Sequence, residues 1–163
     1  MSEQDTGTLD YEALIRRSIE VARAARAAGN HPFGALLVDS EGKILMEQGN
    51  VFGEQGDATG HAERVLMTRA SIAYDAEFLA ACTMVTSAEP CAMCAGSVYW
   101  AGVGRVVFGM RERALKEFIG PHPENLTLDL PCETIFAAGQ RKVQVVGPLL
   151  EEEAAEVHIG AWD

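Results

Sequence analysis

Two short motifs, GHAER with His61 and Glu63 and EPCAMC with Cys91 and Cys94, constrain this chain more than any other feature. One imidazole and two thiolates are a permitted ligand set for a catalytic zinc, which keeps three protein ligands and leaves a fourth tetrahedral position for water. His61, Cys91 and Cys94 are therefore the candidate metal ligands. Glu63 then remains free for proton transfer.

The local sequence predicts where these residues sit. Cys91 follows Pro90 and opens the apolar, turn-free run CAMCAGSVYWAG, which reads as a helix with proline just ahead of its first turn. Both thiols then lie at a helix start, three apart and on one side. A helix N-terminus carries partial positive charge and unpaired amide donors, so it favours thiolate over thiol. His61 follows Thr59 and Gly60 and opens HAERVLMTRASIAY, where Val65, Leu66, Met67, Ile72 and Ala73 predict a buried helix. The predicted geometry is two helix starts converging on one zinc.

The remaining elements place these helices on a sheet. Asp10 to Ala28 reads as an amphipathic helix capped by Asp10 and stopped at Gly29-Asn30, with Leu14, Ile15, Ile19 and Ala22 facing in. Ala35–Val38 and Lys43–Gln48, joined by the turn Ser40-Glu41-Gly42, predict a hairpin. Cys82–Ser87, the CxxC helix and Arg105–Phe108 predict a parallel crossover, with Val143–Val146 as a fifth strand. Leu149–His158 reads as an acidic helix before a short tail. The stretch 120–139 holds three prolines and no clear period, and reads as a long loop, either lid or surface excursion, with a short helix near Glu133–Ala138.

The bulk properties narrow the function classes. At 163 residues the chain fits one domain over 1–163, with 1–9 as a flexible tail, and buries roughly two thirds of its unfolded surface. Two of the four cysteines belong to CxxC, Cys82 to a strand-like run and Cys132 to a loop, so no secreted disulfide framework is expected. A reducing, cytoplasmic home follows. The N-terminal MSEQDTGTLD resembles neither a secretory signal nor a transit peptide, and no run approaches membrane-spanning length. The net charge of -11 repels phosphate backbones. Arg16, Arg17, Arg23 and Arg26, and Arg111 and Arg113 interleaved with Glu112, read as solvated helix faces rather than a nucleic-acid footprint.

His61-Ala62-Glu63 followed by Pro90-Cys91-Ala92-Met93-Cys94 resembles the zinc-dependent cytidine deaminase superfamily. PFGALLV, TSAEPCAMC and VYWA are similar to bacterial guanine deaminases, and GRVVFG also to tRNA adenosine deaminases. The resemblance implies a three-layer α/β/α cytidine deaminase-like fold with a central mixed five-stranded sheet flanked by helices. It implies one catalytic Zn2+ per subunit, a homodimer, and hydrolytic release of ammonia from a small aminated N-heterocycle. Guanine or a related aminopurine comes first, with cytosine or an aminotriazine also open. Glu63 would take the water's proton and deliver it to the ring nitrogen and the departing amine.

The resemblance also implies that Asn50 and the Ala62 amide contact substrate, and that Trp162 completes the pocket of a partner subunit. Phe33 and Trp100 are candidates for an aromatic slot, or else core residues. Glu89 reads as orienting the loop before Pro90, and His31 and His122 as loop residues without a ligand role. The competing readings are tRNA adenosine deamination and a non-catalytic zinc module, the latter closed by Cys132 or His122 as a fourth ligand.

Overall fold

The architecture follows from strands that are apolar on both faces. The structure, a computed structural model, describes residues 9–163. The tail expected over 1–9 lies outside the described residues, except for Leu9, which is buried. Strands β1 (Gly34–Val38), β2 (Ile44–Gly49), β3 (Thr83–Ala88), β4 (Arg105–Met110) and β5 (Gln144–Val146) form one sheet in the order β2-β1-β3-β4-β5. The predicted hairpin is present as the antiparallel pair β1–β2, and β1 also runs antiparallel to β3. The predicted crossover is present as parallel β3–β4, with β5 parallel to β4.

Alternation along the strands supplies two cores. Ala35, Leu37, Met84, Val106 and Phe108 face a layer made by α3 (Ala62–Ala73), α5 (Ala92–Ala101) and α7 (Cys132–Ala137). Leu36, Val38, Val85 and Val107 face the opposite layer, made largely by α1 (Tyr11–Ala27). Strands covered on both faces read as continuous apolar runs, as these do. The result is the expected mixed five-stranded sheet flanked by helices.

Helix α1 starts where the sequence predicts, with the Ala13 amide donating to Asp10 Oδ1 at 3.1 Å and Leu14, Ile15, Ile19 and Ala22 buried. In α3, Ile72 departs from the predicted inward face and is 82% exposed, because it lies off the stripe formed by Leu66, Met67 and Ala70. Cys132 is the first residue of α7 rather than a loop residue, and it is buried. Three helices were not expected from the sequence: α2 (Phe52–Gln55), α4 (Ala76–Ala80) and α6 (Glu112–Ile119). The acidic helix near the C-terminus is α8 (Glu151–Glu156). Among the described residues, no helix is long and apolar enough to cross a membrane.

The close approach of α1 to β1 depends on Gly34. A Cβ there would lie 2.6 Å from the Ala22 backbone nitrogen and 2.9 Å from Val21 Cβ. Gly34→Ala is expected to lower unfolding free energy by about 1–3 kcal/mol, measured by denaturant titration.

His158 is buried beside Phe33 and accepts a hydrogen bond from Trp162 Nε1 at 3.1 Å. Burial, then the nearby charge of Arg26, pushes its pKa down to about 4. The unfolded chain therefore binds a proton below its ordinary value of about 6.5 that the folded chain refuses until pH 4. Stability is expected to be fully present above pH 6.5 and to fall by about 3 kcal/mol as pH drops to 4. Unfolding curves across that window should lose this part of their slope in His158→Leu.

Candidate active site

Strand β3 lies at the centre of the sheet and runs out at Ala88. Two residues later Pro90 prevents a continued strand, and Cys91 becomes the N-cap of α5. His61 is likewise the N-cap of α3, with Ala62 and Glu63 in the first turn. The two helix starts meet. His61 Nδ1 is 3.6 Å from Cys91 Sγ and 3.5 Å from Cys94 Sγ.

These separations fit a metal. Zn–S bonds of about 2.3 Å and a Zn–N bond of about 2.0 Å at a tetrahedral angle place nitrogen and sulfur about 3.5 Å apart. Among the described residues, His61, Cys91 and Cys94 form the one cluster of this kind, with all three ligand atoms within 4.8 Å of one another. Neither Cys132 nor His122, the candidates for a fourth ligand, belongs to it. Hydrogen bonds from Cys94 and then His61 bring the Cys91 thiol down to about 4, against the opposing effect of burial. The Cys94 thiol is raised, first by the same bond and then by burial. Of the two thiols Cys91 ionises the more readily, as its position at a helix N-terminus favours, and a bound cation would draw the proton from both.

Glu63 is buried, and burial is the main reason its pKa is raised. The Thr86 hydroxyl lies 2.9 Å from both Glu63 Oε1 and the Ala88 carbonyl. That hydroxyl has one proton, so it donates to a Glu63 carboxylate, or accepts from a protonated Glu63 while donating to Ala88. Both protonation states of Glu63 therefore find a partner. Thr86 escaped the sequence reading. The available signal was its place on the same β3 face as Met84, toward α3.

A cavity of about 150 Å³ opens over these residues, with Phe33, Asn50, His61, Glu63 and Cys91 in its wall. Asn50 is buried, and its Oδ1 accepts from the Phe52 amide at 2.8 Å, which fixes the side-chain amide. Ala62, between His61 and Glu63 in the chain, is fully buried. The long segment is a lid rather than an excursion, since residues 124–128 also line the cavity. Glu124 Oε1 reaches across to His31 Nε2 at 2.8 Å, and the His31 ring stacks on Phe52 at 4.7 Å. His122 Nδ1 accepts from the Glu124 amide at 3.0 Å.

Glu89 has a larger role than orienting its own loop. Its Oε1 accepts from the Glu112 amide and its Oε2 from the Cys132 amide, both at 2.9 Å. One carboxylate thereby satisfies the first turns of α6 and α7. Glu112 also lines the cavity and is 5% exposed, contrary to the reading of its charged segment as a solvated face.

Trp100 is not at the site. It is 85% exposed and packs edge-on against Tyr99, because α5 carries it nine residues, about 13 Å, beyond Cys91. Trp162 packs within its own chain, 4.7 Å from the His31 ring and hydrogen-bonded to His158. The tail thus backs the wall formed by His31 and Phe33 of the same chain.

Residues 9–110 match the family described as the cytidine and deoxycytidylate deaminase zinc-binding region. The chain belongs to this family. A probable cytosine deaminase of Schizosaccharomyces pombe is 39% identical over 153 residues, covering 93% of this chain and 91% of that protein. The crystal structure of guanine deaminase from Nitrosomonas europaea superposes with a TM-score of 0.75 at 29% identity, covering 92% of this chain and 83% of that one. The structure of NE0047 in complex with 2,6-diaminopurine gives 0.78 at 27% identity, covering 98% and 87%. The chain is thus a zinc-dependent deaminating hydrolase, and the His61, Cys91 and Cys94 group fits the zinc of this family.

Purified protein is expected to carry zinc by elemental analysis. Cys94→Ser is expected to bring the zinc content to background, since a hydroxyl does not replace a thiolate ligand.

Proposed function

We propose that this protein deaminates a free nucleobase hydrolytically, guanine or a related aminopurine first. The observation that carries this is the makeup of the cavity wall. Glu63, Glu89, Glu112 and Glu124 line it, and no lysine or arginine does. A phosphate-bearing nucleotide or a tRNA backbone finds no basic side chain there to pair with its charge, whereas an uncharged base needs none. The apolar part of the wall, Phe33, Leu115, Leu126 and Leu128, suits a planar ring. Cytosine is the second reading, favoured by the 39% identity to the fission-yeast relative over nearly its whole length.

Zinc held by His61, Cys91 and Cys94 would supply a water whose pKa falls from about 15.7 toward about 7. Glu63 accepts a proton from the attacking water. Its raised pKa suits the return of that proton, first to the ring nitrogen beside the amino-bearing carbon and then to the departing amine. Thr86 holds Glu63 in place through both transfers. Asn50, fixed by the Phe52 amide, presents its side chain to the heterocycle. Water and an aminated ring become ammonia and a keto ring.

Ammonia release by the zinc-loaded protein from guanine, 2,6-diaminopurine, cytosine, adenosine and tRNA tests this reading. Release from a free base is expected, with Glu63→Gln retaining zinc and losing about 10²- to 10⁴-fold in turnover. Full activity in zinc-loaded Glu63→Gln, or release from tRNA alone, would overturn it.

A further inference from the structure

Glu112 is the one carboxylate in the cavity wall to which neither the fold nor the proton transfer gives a task. Its backbone amide is held by Glu89, which fixes the start of α6. Its side chain turns inward and caps nothing. Among the described residues, Glu112 Oε2 is the one buried side-chain polar atom without a hydrogen-bond partner. No lysine or arginine lines the cavity to pair with it. An unsatisfied buried polar group destabilises the fold that carries it and calls for an explanation in function.

We propose that Glu112 is a specificity-determining residue whose carboxyl group hydrogen-bonds the polar edge of the bound heterocycle, where a ring N–H and an acceptor stand side by side. The assignment rests on the reading of this cavity as a nucleobase site. Glu112 lines the same cavity as Glu63 and Asn50, so a ring seated between them comes up against this residue, whose unpartnered oxygen lies just behind the wall. Burial, followed by the charges of Cys91, Glu63 and Glu89, pushes its pKa up to about 9. Protonated, the group offers one donor and one acceptor, which matches such an edge. A site built to satisfy a polar edge rejects rings that lack it, because its own buried group is then left unpaired.

The test measures binding and turnover separately. Guanine, 2,6-diaminopurine and cytosine are titrated by calorimetry into zinc-loaded Glu63→Gln protein, with and without Glu112→Leu, and ammonia release is measured in the Glu63 background. Glu112→Leu is expected to keep zinc, to melt no lower than its parent because an unpaired polar group is removed, and to bind the preferred base about 10- to 100-fold more weakly. Glu112→Asp, which retracts the carboxyl by one methylene, is expected to lose about tenfold and serves if Glu112→Leu does not fold. Unchanged affinity in either folded variant would overturn the assignment while leaving deamination intact. Glu112-dependent binding without ammonia release would uphold it and sink the deaminase reading. Failure of all three bases to bind the parent would overturn it as well.

Discussion

The site depends on two helices being forced to begin at the same point. The central strand β3 ends against Pro90, which starts α5 at Cys91, and α3 packs beside α5 with His61 at its own start. Both N-termini aim unpaired amides and partial positive charge at one spot. An imidazole and two sulfurs are thereby held within 3.6 Å of nitrogen-to-sulfur contact before any cation is considered. The sheet order makes this placement stable, because β3 has a hydrogen-bonded neighbour on each side.

Three carboxylates at this spot differ in function because they differ in partners. Glu63 shares one hydroxyl proton with a main-chain carbonyl, which leaves it able to gain or lose its own. Glu89 accepts from two helix amides, which gives it a structural task. Glu112 has an oxygen with no partner, and burial keeps it neutral. Environments that push like groups apart are how one cavity divides its labour.

The convergence of His61, Glu63, Cys91 and Cys94 was legible because its information is local. Proline, spacing and apolar periodicity around residues 61–73 and 90–101 specify the helix starts without knowledge of the fold. The hairpin and the β3–α5–β4 crossover were legible for the same reason. Helix α6 was not, since its charged RERALKEFI sequence has no capping side chain of its own at Arg111. Its cap comes from Glu89, 23 residues upstream. The burial of Glu112 was hidden for the same reason, because neighbouring arginines made the segment look solvated. Trp100 was misplaced because aromatic character says nothing about distance along a helix. The contact of Trp162 with His31 spans most of the chain, and only the folded structure brings the two together.

The pair of hydrogen bonds that Glu89 accepts has an evolutionary consequence. The chain between the amides of Glu112 and Cys132 leaves from and returns to a single side chain that sits two residues before Cys91. It is a cassette with a fixed frame, and the entropic cost of lengthening such a closed loop grows only slowly with its length. Insertions, deletions and substitutions within it can remodel the cavity wall without disturbing the cluster of His61, Cys91 and Cys94. Substrate range and reaction chemistry can then drift independently, one diverging while the other is held.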